Sequence, residues 1–138
     1  MTMKIKLDGG AWMPDRAFDE DAGLDIMAMN DEVVPAHDSV LFDTGVHVEL
    51  PQNTCGMLVS KSGLLCKHGI MSTGLIDEGY TGSIKVKLFN FSNEDYEVKY
   101  GDKISQLVII PVIKPYLSIV KDLEETDRGN NGLGSTGR

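Results

Sequence analysis

The chain has 138 residues, with 13 basic against 21 acidic side chains and a formal net charge of −8. That length suits one domain with its own core. The acidic balance argues against non-specific binding to a polyanion such as DNA, and no apolar run approaches the roughly 18 residues that would predict a membrane span.

A small anionic ligand would need local cations or a metal ion to overcome the overall field. The opening MTMKIKLDGG lacks the apolar stretch of a leader peptide, so a cytoplasmic location is expected. Cys55 and Cys66 then read as free thiols in a reducing compartment.

Period-2 alternation predicts a first strand over KIKL (4–7), closed by the turn signal Asp8-Gly9-Gly10. AGLDI (22–26) follows the acidic run FDEDAG and sets Asp25 between apolar neighbours. Such an acid is either an edge charge or a carboxylate that helps hold a hard cation through water. VHVEL (46–50) alternates and predicts a strand ending before Pro51.

SKSGL (60–64) places Lys61 between two hydroxyls at the start of the one predicted helix, SGLLCKH (62–68). A helix start with a lysine and a serine suits a phosphate, or is simply a capped start with a solvated lysine. The order of a Walker A loop is missing, and Cys66-Lys67-His68 lacks a second pair at zinc spacing.

In GLIDEGYTG (74–82) the apolar pair Leu75-Ile76 runs into Asp77, with Tyr80 three residues on. The carboxylate either faces solvent in an Asp-Glu-Gly turn or acts as a general base placed by the strand before it. SIKVKLF (83–89) predicts the returning strand of a hairpin, and YEVKY (96–100) another strand. GDKISQL (101–107) sets Gln106 within an apolar strand, as a core hydrogen-bonder or a ligand contact. LVIIPVI (107–113) reads as a buried strand broken at Pro111, and YLSIV (116–120) as one more. RGNNGLGSTGR (128–138) is too rich in glycine to pack as a strand. It is plain terminal disorder, or an arm able to wrap a phosphate chain with N–H groups and hydroxyls. Many short strands predict a β-sandwich, jelly roll or barrel.

Taken in order, AGLDI, SKSGL, GLIDEGY, GDKISQL and RGNNGLGSTG resemble the five motifs of the trimeric dUTP diphosphatase (dUTPase) family, over residues 22–138. The resemblance implies an all-β jelly-roll domain of the dUTPase-like β-clip type over residues 1–126, with a mobile arm over 127–138 that closes on substrate. It implies a homotrimer whose three active sites draw motifs from different subunits. Asp77 falls where the family keeps the general base that deprotonates water for attack on the α-phosphate of dUTP. Tyr80 matches the ring packed on the deoxyribose. Gly74, Leu75 and Ile76, with Lys85 across the hairpin, match the segment that pairs with uracil.

Lys61, Ser62, Gly63 and Gln106 match phosphate contacts, and Asp25 the acid that helps hold Mg²⁺ through water. In the arm, Arg128, Leu133, Gly134, Ser135 and Thr136 match substrate contacts, and Arg138 adds charge against the phosphates. Three positions depart from the commonest pattern: Lys61 for Arg, Leu133 for a stacking Phe, and Asn131 for Gly. A deaminase of the same fold needs a glutamate where this chain has Lys87. A non-catalytic jelly-roll binder has no need to keep Asp77, Tyr80 and the arm together, and a regulatory protein partner alongside catalysis stays open.

Overall fold

The computed structural model describes residues 1–137. Eleven strands and one short helix are found among them: β1 (Lys4–Leu7), β2 (Gly23–Met27), β3 (Glu32–Val34), β4 (Ser39–Asp43), β5 (Val46–Glu49), β6 (Thr54–Val59), α1 (Ser62–His68), β7 (Ile70–Met71), β8 (Thr73–Ile76), β9 (Lys85–Asn90), β10 (Tyr96–Val98) and β11 (Lys103–Pro111). The strands form a four-stranded sheet, β2-β11-β6-β8, a three-stranded sheet, β4-β9-β7, and the pairs β1-β5 and β3-β10. Every pairing is antiparallel.

Alternation decides which side chains enter the core. In β9, Val86, Leu88 and Asn90 point inward while Lys85 and Lys87 face water. Val86 and Leu88 meet Ile26, Phe42, Leu58, Ile84, Ile104 and Leu107 in one apolar cluster between the sheets. Asn90 is buried because its amide donates to the Val34 and Glu94 carbonyls, which satisfies both of its N–H groups.

Helix α1 spans the seven residues expected of it and lies on the surface. Its N-cap is Lys61 in an extended conformation, with no side-chain cap. Gly69 ends it in the left-handed region at φ 66°, donating to the Leu64 and Leu65 carbonyls.

Two expectations are overturned. GLIDEGYTGSIKVK is not a hairpin: β8 pairs with β6 and β9 with β4 and β7, so residues 77–84 cross from one sheet to the other. YLSIV is not a strand. Pro111 ends β11, Val112 makes the last main-chain anchor to Asn53 O at 2.9 Å, and the chain then leaves the body. Tyr116, Leu117 and Ile119 are solvent-exposed, because a strand forms only beside a neighbour and none pairs with them among the described residues.

Candidate active site

The crossing from β8 to β9 builds the first half of the site. Ile76 is buried and faces Gly56 of β6, which fixes where the chain stops before Asp77. The Tyr80 N–H donates to Asp77 O at 3.0 Å and closes the turn. Tyr80 Oη donates to Ser83 O at 2.8 Å, folding the ring back over its own loop. Only glycine fits beneath it: a Cβ on Gly82 would lie 2.6 Å from Tyr80 Oη.

Gly74, Leu75, Ile76, Asp77, Tyr80 and Lys85 line one open pocket of about 230 Å³, together with Leu58. The expected uracil, sugar and base-catalyst residues are thus brought together. The Asp77 side chain is exposed and, among the described residues, takes no hydrogen bond. Its neighbours are tethered instead. Glu78 accepts the Asn53 N–H at 3.1 Å and pairs with Lys114, whose hydrogen bond holds the Glu78 carboxyl below its usual range. Asp43 accepts from Ser83 Oγ, from Gly45 N at 3.1 Å and from Lys85 Nζ at 3.2 Å. The Ser83 hydroxyl, then the Gly45 N–H, draw the Asp43 carboxyl down.

The expected phosphate residues gather elsewhere. Register sets Gln106 of β11 between Asp25 of β2 and Val59 of β6. Gln106 Nε2 donates to Ser60 O at 3.1 Å, so this amide serves the frame. A Cβ on Gly23 would collide with the Gln106 side chain, so the glycine of AGLDI makes room for it. Asp25 is buried, with Lys61 Nζ on Oδ1 and Lys103 Nζ 2.8 Å from Oδ2. Burial pushes its carboxyl up; hydrogen bonds and charge from Lys103 and Lys61 outweigh that and hold it below its usual range. Ser62 and Gly63 stand exposed at the start of α1 beside Lys61.

No sequence motif marks a role for Lys103 or for the serine frame behind Lys61. Ser72 Oγ meets Ser105 Oγ at 2.8 Å, Ser60 Oγ donates to Ser72 O at 2.9 Å, and Ser105 Oγ donates to Val59 O at 3.2 Å. A buried serine in the apolar run KISQL was the available signal.

The two halves lie at opposite ends of the β6–β8 pair. Asp77 follows Ile76, opposite Gly56, whereas Lys61 lies beyond Val59, opposite Thr73. From Gly56 to Lys61, at about 3.3 Å per residue, is roughly 16 Å. A group touching Asp77 and a group touching Lys61 of the same chain are therefore far apart.

Among the described residues the arm makes no hydrogen bond or ion pair to either half. Arg128 Nε donates to Asn131 O at 3.0 Å, and turns bond Asn131 N to Arg128 O and Ser135 N to Gly132 O. Leu133, Gly134, Ser135 and Thr136 are exposed. Arg138 lies outside the described residues. Lys87, the position a deaminase would need as an acid, is exposed with its ammonium 5.4 Å from the Phe89 ring centroid.

The donor set was tested for a divalent cation. Among the described residues no three His, Cys, Asp or Glu side chains converge on one point, and both Asp25 oxygens face ammonium groups. These residues do not form a protein cage for a cation. Asp25 would reach a hard cation held mainly by other oxygens only through water, and only once a lysine turned away. No helix is long and apolar enough to cross a membrane among the described residues.

An antiparallel β domain of jelly-roll type, with an open carboxylate beside a small pocket and a separate pair of lysines on a buried acid, is the class that fold and site define. Comparison narrows the class. The dUTPase family model matches residues 10–137. The deoxyuridine 5'-triphosphate nucleotidohydrolase of Clostridium acetobutylicum is 43% identical over 141 residues, covering 99% of this chain and 97% of that protein. Its counterpart from Arabidopsis thaliana is 41% identical over 133 residues, covering 96% of this chain and 80% of that protein. A mutant of the Staphylococcus bacteriophage 80alpha dUTPase with dUpNHpp superimposes with a TM-score of 0.93 at 29% identity, covering 99% of both chains. The dUTPase of S. aureus phage phi11, in a form described for the coordination of a structural Mg(II) ion, gives 0.84 at 29% identity over 91% of this chain and 100% of that one. The chain belongs to the dUTPase family.

Proposed function

We propose that the chain is a dUTP diphosphatase that hydrolyses dUTP to dUMP and pyrophosphate. The observation that carries this reading, beside family membership, is the exposed Asp77 carboxylate, without a hydrogen-bond partner among the described residues, at the rim of the pocket lined by Gly74–Asp77, Tyr80 and Lys85. Asp77 takes a proton from a water molecule, whose oxygen forms a bond to the α-phosphorus. The bond from that phosphorus to the oxygen bridging the α- and β-phosphates breaks, and pyrophosphate leaves. Main-chain groups of 74–76 pair with the uracil edge. Cytosine would leave such groups unpaired at about 1–3 kcal/mol each. The Tyr80 ring blocks a 2′-hydroxyl by bulk.

Lys61, with Ser62 and Gly63, meets the phosphates once Lys61 turns from Asp25, and Gln106 supports that end. Lysine brings charge without the bidentate fork of an arginine. Magnesium, carried on the triphosphate, offsets its negative charge in a protein of net charge −8.

A homotrimer with shared active sites suits the separation of Asp77 and Lys61: a triphosphate bound at one chain's Asp77 is met by another chain's Lys61 and Gln106. The apolar side chains Ile113, Tyr116, Leu117, Ile119 and Leu123, all strongly exposed, suit a segment that packs on a neighbour. Residues 1–126 form the domain, and 127–138 an arm that covers the filled site, with Arg128, Ser135 and Thr136 toward the phosphates and Leu133 over the base. A cytoplasmic location suits this reading, in which the enzyme keeps uracil out of DNA. Phage dUTPases similar to it are described as controlling transfer of virulence genes, so a regulatory protein partner remains part of the reading.

A panel of dUTP, UTP, dTTP and dCTP with and without Mg²⁺, following pyrophosphate release, tests the assignment. Asp77→Asn is expected to lose at least about a hundredfold in kcat while still binding dUpNHpp. A normal rate in that variant removes Asp77 as the base. Ammonia release from dCTP would favour the deaminase reading instead.

A further inference from the structure

The loop carrying Asp77 and Tyr80 is held from behind by a histidine to which the reaction assigns no role. His47 sits on β5, directly opposite Lys6 of β1. Its Nδ1 lies 2.8 Å from the Thr81 carbonyl oxygen and its Nε2 3.0 Å from Asp8 Oδ2. A carbonyl and a carboxylate are both acceptors. Neutral imidazole has one N–H, so only the imidazolium donates to both at once.

The position of Thr81 gives this contact its meaning. The two ends of the loop are fixed by other means: Glu78 to Asn53 N, and Ser83 to Asp43. The bonds from Tyr80 N to Asp77 O and from Tyr80 Oη to Ser83 O lie within the loop and do not tie it to the body. His47 holds its crown, one residue from Tyr80.

We propose that His47, as a doubly donating imidazolium, is a positioning residue for dUTP hydrolysis that fixes Tyr80 and Asp77 through the Thr81 carbonyl. The inference rests on the roles given above to Asp77 and Tyr80.

The groups facing the ring are few. Asp8, just after β1, accepts its proton, and Lys6 opposes it from the paired position. Lys4 and Glu49 line the same hollow of about 330 Å³, and the loop between Glu78 and Lys85 carries no charge. The Asp8 hydrogen bond, followed by that to Thr81, raises His47 above its ordinary 6.5, against partial burial and Lys6. A raised value means the clamp is complete below pH 6.5 and is lost as pH rises through the higher folded value. Loss of this clamp predicts an alkaline decline in kcat.

The test measures kcat and KM for dUTP from pH 5.5 to 9 in the wild type, His47→Gln, His47→Ala and Asp8→Asn. At pH 6 both His47 variants should lose about tenfold in kcat, since small misplacements of a reacting group are costly. Their profiles should lack the alkaline decline, and Asp8→Asn should move that decline to lower pH. Profiles in the His47 variants that superimpose on the wild type overturn the proposal, as does a decline that Asp8→Asn leaves in place. Nitrogen NMR of the wild-type ring serves even if a variant fails to fold: two N–H groups at pH 6.5 support the clamp, and a neutral ring sinks it. Asp77→Asn run alongside separates the two readings. Retained turnover there strikes the base assignment, whereas the ring's protonation state bears on the clamp alone.

Discussion

Lys61 and Lys103 hold opposite oxygens of the Asp25 carboxylate, so one buried acid joins the start of α1 to the start of β11. Its side chain is 5% exposed, against 27% and 51% for the two lysines. Asp25→Asn keeps the shape and removes the charge, leaving two ammonium groups against a neutral amide. We expect a loss of about 2 kcal/mol at pH 7, discounted for the partly solvated lysines. The folded carboxyl lies below its ordinary 3.8, so its contribution is present above that pH and is lost as pH falls through the folded value. Urea unfolding between pH 2 and 7 in EDTA should therefore show a weaker acid-side slope in Asp25→Asn. Equal slopes would mean the ion pairs contribute nothing.

Gly82→Ala should loosen sugar selection. The added methyl falls within 2.6 Å of Tyr80 Oη, so the ring swings away and its bond to Ser83 O is lost. We expect the preference for dUTP over UTP, as a ratio of kcat/KM, to drop about tenfold, the scale of steric discrimination in a small pocket. An unchanged ratio would show that another group reads the sugar.

Deleting residues 128–138 should separate catalysis from folding. The described part of this stretch is exposed, and its hydrogen bonds join it only to itself and Thr126. We expect Tm to stay within about 1 °C, since truncation away from buried contacts is nearly neutral. Turnover should fall at least about tenfold, as for loss of a covering segment. A large drop in Tm would give the arm a structural role.

Local pattern made much of this legible. Alternating residues mark β5 and β9 because one face of each is dry, they mark β1 although none of its residues is buried, and SGLLCKH reads as α1 because Gly69 stops it. Gly74 to Tyr80 could be read as one site because those residues are contiguous. What stayed hidden depends on partners distant in sequence. Nothing in residues 73–90 tells that β8 pairs with β6, since the same turn chemistry joins strands within a sheet or across two. Lys103 reaches Asp25 only through the pairing of β11 with β2, which includes a register shift between Lys103 and Ser105. YLSIV carries a strand's composition, and composition cannot say whether the partner lies in the same chain. His47, in an alternating run, reads as an ordinary edge residue until Thr81 is folded against it.

The spacing between Asp77 and Lys61 also bears on inheritance. If each catalytic centre borrows from two chains, a chain altered at one position still lends its other residue to a sound neighbour's centre. A substitution at one of these positions would then remove centres only in proportion to its share of the chains, whereas a chain altered at Asp77 and another altered at Lys61 would rebuild some sound centres between them.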